Sequence, residues 1–322
     1  MMRRMCTLGV FVLALAAGGG ARPVTDVWLD VDVAAGLPGR DVDDALALIQ
    51  AFHSPELKIR GVSAVFGNAP LADGLPIARE VVEKFAPAGI SVIAGAASKD
   101  DLGKDNDAVA AMVAALNEAP LTILALGPVT NIGTLVQKHP ELHAKIERIV
   151  MVAARRPGQK FTYPTAGGRC FRDFNFESDP DAMRAVLDTK IELVFAPWEV
   201  SSHVWVTPDD IARIATYGGS GIWIEEKCTA WVKMWQDQFK TPGFNPFDTL
   251  AVGWVTHPKL IQTMPVTVWI EDGPDDTVPP AEAKNKPYLL VKPQEPAGRS
   301  AIYAFRPAPQ FTQVLMDRLS GY

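Results

Sequence analysis

Hydrophobic and polar positions alternate between two periods along most of the chain. Short apolar runs at 27–33, 57–66, 90–94, 121–126, 149–152 and 191–195 read as strands. Between them, apolar residues recur at helical spacing near 43–53, 75–86, 106–117, 130–138 and 179–188. Strands alternating with helices predict right-handed crossovers and an open, mostly parallel sheet flanked by helices, an α/β fold with a Rossmann-like core. After Pro208 the pattern turns helical, at about 208–216, 220–239 and 246–256. The stretch 270–300 is rich in Pro, Asp and Gly and predicts loops with short antiparallel strands. Residues 310–319 predict a closing helix. No Pro/Gly/Ser-rich linker divides the chain, so residues 22–322 read as one domain.

The first 21 residues break this pattern. Arg3 and Arg4 precede an apolar run ending near Ala17, followed by Gly18-Gly19-Gly20-Ala21. That is the layout of a cleavable signal peptide, with cleavage expected after Ala21 and export to a periplasmic or secreted location. The run is too short for a bilayer, which needs about 20 residues. Removing it moves the formal net charge from −6 to −8, which excludes a generic electrostatic grip on nucleic acid. Two of the three cysteines remain, Cys170 and Cys228, and an oxidising compartment would permit them to pair. Three cysteines exclude a disulfide-stapled scaffold.

Chemistry concentrates after the first strand. Period 2 places Val27, Leu29, Val31 and Val33 on one face, and Trp28, Asp30 and Asp32 on the other. A Gly/Pro-rich loop leads to Asp41, Asp43 and Asp44, then to a helix with Ala45, Leu48, Ile49 and Phe52 as its apolar stripe. Five aspartates thus gather where open α/β sheets bind ligands, outside the carboxyl ends of strands. At ~5 Å and an effective dielectric of ~20, each like-charge pair costs about 3 kcal/mol unless a cation is shared. Oxygen-only ligands favour a hard cation, Ca²⁺ or Mg²⁺.

These residues and four later segments resemble the nucleoside hydrolase family. The matching pieces are Leu29-Asp30-Val31-Asp32 with Asp43-Asp44-Ala45, then Phe66-Gly67-Asn68, then Leu126-Gly127-Pro128-Val129-Thr130-Asn131. Asp173-Phe174-Asn175 and Phe247-Asp248-Thr249 complete the series, in the family's order. The resemblance implies calcium-dependent hydrolysis of the N-glycosidic bond of ribonucleosides, commonly by a homo-oligomer. It implies Asp32, Asp44, Asp248 and the carbonyl of Leu126 as calcium ligands, with Asp32 also activating water. Asp43, Asn68, Asp173 and Asn175 match groups that grip the ribose. Four departures stand out. The loop between Asp32 and Asp43 is longer than the family's turn, Met151-Val152-Ala153-Ala154 lies where a Met-Gly-Gly is common, Asp173 replaces a glutamate, and Phe247 stands where many members carry histidine.

With Phe247 in that place, stacking on a base becomes the expected leaving-group device, with purine ribosides slightly favoured. His203, after a strand end, is the one histidine kept as a candidate for that role. Trp231, Trp235 and Phe239 fall on one helix face and read either as core or as a lid over the nucleobase. Two other functions compete: a nucleoside-binding protein without catalysis that keeps the calcium site, and a haloacid dehalogenase-type phosphatase using Asp30.

Overall fold

The computed structural model describes residues 24–167 and 170–321. The proposed signal peptide and its cleavage site lie outside the described residues. Among the described residues, no helix is long and apolar enough to cross a membrane.

The chain alternates strands and helices from its start. It runs β1 (Thr25–Val31), α1 (Asp43–Phe52), β2 (Leu57–Ala64), α2 (Leu71–Phe85), β3 (Val92–Ala94), α3 (Asp107–Glu118), β4 (Leu121–Ala125), α4 (Thr130–Lys138) and β5 (Ile146–Met151). Two short helices, α5 (Phe174–Ser178) and α6 (Pro180–Leu187), precede β6 (Glu192–Phe195). Then follow α7 (Trp198–Ser201), α8 (Pro208–Ala215), α9 (Ser220–Phe239) and α10 (Thr249–Thr256). The chain closes with β7 (Ile261–Pro274), β8 (Asn285–Lys292), β9 (Arg299–Pro307) and α11 (Gln310–Ser320).

All nine strands form one sheet, ordered β3-β2-β1-β4-β5-β6-β9-β7-β8. From β3 to β9 every pairing is parallel. The expected parallel α/β core is therefore present. Helices cover both faces. Val27, Leu29 and Val31 pack with α1, α2 and α8 to α11, while Trp28 joins α3, α4 and α6 on the opposite face. Burial on both faces is what lets β1 read as a nearly continuous apolar run. Strand order reverses between β1 and β4, and such a switch point opens a crevice at the strands' carboxyl ends.

The stretch 270–300 carries the expected antiparallel strands, which are longer than the sequence suggested. It belongs to an antiparallel unit, in which β7 pairs with both β8 and β9, and β9 inserts beside β6. Ile261, Val266, Val268, Leu289, Val291, Ala301, Tyr303 and Ala304 are its buried positions. The outer half of β7 carries Asp272, Gly273 and Pro274, and this polar end disguises the strand in the sequence. No disulfide joins Cys170 and Cys228, whose side chains are both buried.

Candidate active site

The end of β1 delivers the first carboxylates. Its ladder finishes at Val31, so Asp32 stands just past the strand, at the mouth of the switch-point crevice. Two glycines make room for it. A Cβ on Gly67 would lie 1.8 Å from Asp32 Oδ2, and one on Gly127 would lie 3.0 Å from Asp32 Cβ. The Asn68 backbone N–H donates to Asp32 Oδ2 at 2.7 Å, and its amide Nδ2 lies 3.3 Å from Asp32 Oδ1. The Asp32 N–H in turn donates to Asp44 Oδ1 at 2.9 Å.

The long loop after Asp32 ends where Asp41 Oδ1 accepts from the backbone N–H of Val42 (2.7 Å) and Asp43 (3.3 Å). It thereby fixes Asp43 and Asp44 in the first turn of α1. Asp248 begins α10 in the same way. Two helix N-termini thus point at one place, where their dipoles favour negative charge. Carboxylate oxygens of Asp43, Asp44 and Asp248 lie within 4.8 Å of one another, and all three residues are buried.

Asp32 lies beside this triad: its N–H donates to Asp44, and Asn68 Nδ2 reaches both Asp32 Oδ1 (3.3 Å) and Asp44 Oδ2 (3.4 Å). Asp43 joins the triad, although the sequence assigned it to the sugar. Burial first, and then the charges of the neighbouring carboxylates, push Asp32, Asp43 and Asp248 well above the usual carboxylate range. Burial likewise raises Asp44. A cluster of buried oxygen donors without a basic partner suits a hard divalent cation, so the residues fit the metal that the family resemblance implies.

Asp30 plays a different part. It is fully buried, and Oδ1 accepts from Ser63 Oγ and from Asn131 Nδ2 (2.9 Å), with Trp28 Nε1 donating to Ser63 Oγ at 2.8 Å. Burial raises its pKa to about 7. It ties β1, β2 and α4 together beneath the site and does not line the cavity. A phosphatase nucleophile is therefore not offered by Asp30.

Across the crevice, Asn175 Nδ2 donates to the carbonyls of Leu126 (2.5 Å) and Val152 (3.2 Å), bridging the ends of β4 and β5. Asp173 Oδ2 accepts from the Ala154 N–H at 2.9 Å. Ala154 has φ +79°, a left-handed conformation unusual for a residue with a Cβ, and this orients that N–H. Burial raises the Asp173 pKa to about 7, with Arg155 pulling in the opposite direction.

These groups surround a cavity of about 640 Å³, within the range typical of small-molecule sites. Asp43, Asn68, Leu126, Asp173, Asn175, Phe247 and Asp248 all line it. So do Trp231, Trp235 and Phe239, which pack on one another and also wall the cavity. Phe247 leans on Trp235, with ring centroids 6.1 Å apart. Sequence reasoning missed Phe161, Tyr163, Phe171 and Trp198 in the same wall and Thr277 from the β7–β8 turn, while Asp41, one of the five clustered aspartates, also lines the cavity. Aromatic residues in an irregular stretch were the available signal. Tyr163 donates its hydroxyl proton to Asn245 and accepts from Trp198 Nε1 at 3.0 Å, and burial raises its pKa. Among the described residues no histidine lines the cavity, so His203 does not reach it.

Similarity to known proteins agrees with this geometry. The chain is 28% identical over 263 residues to the pyrimidine-specific ribonucleoside hydrolase RihA of Salmonella agona (strain SL483), covering 73% of this chain and 82% of the relative. The corresponding enzyme of Klebsiella pneumoniae (strain 342) is similar to the same degree. A plant nucleoside hydrolase, the PpNRh1 enzyme, shares the fold with a TM-score of 0.76 at 18% identity, over 92% of this chain and 99% of its own. A purine-preferring ribonucleoside hydrolase from Gardnerella vaginalis does so with a TM-score of 0.73 at 19% identity, over 92% and 98%. The model of the inosine-uridine preferring nucleoside hydrolases matches residues 27–279. The chain belongs to that family, whose members are hydrolases acting on the N-glycosyl bonds of ribonucleosides.

Proposed function

We propose that the protein is a calcium-dependent ribonucleoside hydrolase that releases free base and ribose, with purine ribosides modestly favoured. The observation that carries this reading is the triad Asp43–Asp44–Asp248 beside Asp32, with Asp43 and Asp248 on the wall of an aromatic cavity large enough for a nucleoside and Asp44 and Asp32 just behind them. Asp44, Asp248, Asp43 and the carbonyl of Leu126 would hold the ion, with Asp32 at its edge. When bound, calcium would orient the ribose hydroxyls and the attacking water and acidify that water.

The chain's own groups do the rest. Asp32, oriented by the two Asn68 donors, accepts the proton of the attacking water. Glycosidic cleavage passes through an oxocarbenium-like sugar, and the surrounding carboxylates stabilise that developing positive charge. Asn68, Asp173 and Asn175 grip the ribose, while the aromatic walls exclude water. Phe247, Trp231 and Trp235 present π-faces to the base. Base–aromatic stacking is worth about 1–3 kcal/mol elsewhere, and a purine offers the larger surface. The Tyr163 hydroxyl already donates to Asn245, so the departing base takes its proton from solvent at the open side of the cavity.

The name of the RihA relatives, at 28% identity, favours a second reading with pyrimidine preference. Ribose release from inosine and uridine, with and without chelator, tests both. The proposal expects release that chelator abolishes, and inosine ahead of uridine. Binding of ribosides without release would favour a sensor, and faster uridine hydrolysis would favour the pyrimidine reading. Export is a further part of the proposal. Protein from its native host should begin near Arg22 by mass spectrometry, and an intact Met1 would contradict it.

A further inference from the structure

Beside the ribose end of the cavity lies a second set of charges that the hydrolytic chemistry does not use. Glu177, on α5, is nearly buried, with 7% of its side chain exposed. Its Oε1 accepts from the Asp173 backbone N–H (2.9 Å) and from Lys286 Nζ (2.9 Å). Lys286 begins β8 and also pairs with Asp275 (3.2 Å) and Asp276 (3.3 Å) at the end of β7 and in the turn. Asp276 Oδ2 accepts from Arg155 Nη1 at 2.7 Å, and the Arg155 guanidinium lies 4.0 Å from the centroid of Phe161 in the cavity wall. The Arg155 backbone is docked as well. Its N–H donates to the Leu289 carbonyl (3.0 Å), and its carbonyl accepts from Val291 (2.9 Å).

We propose that the β7–β8 hairpin is a clamp for the ribose end of the cavity, in which Lys286, acting through Glu177, and Arg155 are positioning residues. Thr277 is the hairpin's own contribution to the cavity wall. The inference rests on the ribonucleoside reading above. Asp173 is pinned at both ends, its N–H by Glu177 and its carboxylate by Ala154, and both pins lead to β8. Asp173 is one methylene shorter than the glutamate common at this place. A short side chain cannot adjust its reach, so the backbone that carries it must be held. Exposed ion pairs would do this weakly. The pairs here are shielded, with the Arg155, Glu177, Lys286 and Asp276 side chains 2%, 7%, 13% and 15% exposed, and loss of Lys286 removes the cation nearest Glu177, leaving Arg172 at 3.2 Å and Arg155 at 3.7 Å.

The test uses the full chain and two readouts. Without ligand, Lys286→Met should speed amide exchange across 173–178 by about tenfold or more, local opening being set by such contacts. In turnover it should raise KM about tenfold with kcat little changed, since displacements of about 1 Å cost up to ~100-fold. Lys286→Arg should restore both. Lys292→Met, which breaks an exposed pair with Glu295, should change neither. Asp276→Asn, a milder lesion at the hairpin's exposed end, should act in the same direction if Lys286→Met folds poorly. Unchanged exchange and KM in folded Lys286→Met or Asp276→Asn would overturn the clamp. An unmodified protein that released no ribose would overturn the ribonucleoside reading instead, and exchange alone would then decide the clamp.

Discussion

The carboxylates at the two ends of the cavity are buried alike and paired differently. Asp32, Asp43, Asp44 and Asp248 are 2%, 5%, 1% and 2% exposed. No ion pair to a Lys, Arg or His reaches any of them among the described residues. At the other end Glu177 has Lys286 at 2.9 Å, Arg172 at 3.2 Å and Arg155 at 3.7 Å. The second group is neutralised from within the fold, and its charges brace a segment. The first group is left with a deficit, concentrated where two helix N-termini converge. Buried carboxylates without compensation take up protons or share a cation, and oxygens of three residues within 4.8 Å of one another beside two helix N-termini suit the shared cation.

The largest effect that would sharpen this contrast concerns Asp32. Asp32→Asn keeps the shape and removes the proton acceptor, so kcat should fall by about 10²–10⁴. Ribose release within a few-fold of the unmodified rate would remove Asp32 from that role. Next come two substitutions that each remove one negative charge. In chelator-treated protein, Glu177→Gln should destabilise by about 1–3 kcal/mol, because Lys286, Arg172 and Arg155 each lose a carboxylate partner while Lys286 keeps Asp275 and Asp276 and Arg155 keeps Asp276. Asp44→Asn should instead raise the melting temperature, by relieving repulsion while keeping the oxygen that accepts from the Asp32 N–H. Shifts of the same sign would break the comparison.

The pH dependence is smaller. Asp173 is raised from 3.8 to about 7, so the folded state binds its proton more tightly than the unfolded state. Between those values the folded protein holds more protons, and stability falls as pH rises through that window. Asp173→Asn should lessen the slope of melting temperature against pH from 4 to 7 in chelator without removing it, since Asp30 and the β1–α1 carboxylates are shifted in the same direction, and an unaltered slope would place the titration with them. Smallest is the base: Phe247→Ala should lower kcat/KM for inosine about tenfold more than for uridine, a loss of stacking of about 1–3 kcal/mol. Equal losses would confine Phe247 to packing on Trp235.

Much of the fold was legible because β1 to β6 are buried on both faces, and their apolar runs alternate with amphipathic helices. The acidic motif was legible for a related reason: carboxylates inside or just after an apolar strand have no solvated alternative. What stayed hidden depends on side-chain direction and distant pairing. Asp43 and Asp32 both follow β1, and only the folded geometry shows that Asp43 joins Asp44 and Asp248 while Asn68 bridges Asp32 to Asp44. The walls Phe161, Tyr163 and Phe171 come from an irregular stretch without period. The hairpin carrying Thr277 and Lys286 was obscured by Asp272, Gly273 and Pro274, and its strands are defined by their partners in the sheet.

The central claim is that the β1–α1 carboxylates form a cation site required for hydrolysis. Its most direct test is a calcium titration of chelator-stripped protein, following melting temperature and ribose release from inosine in the same samples. The account predicts that both rise together and saturate at the same calcium concentration, and that Asp44→Asn weakens both responses. Full ribose release in stripped protein, with no change in melting temperature on adding calcium, would contradict it.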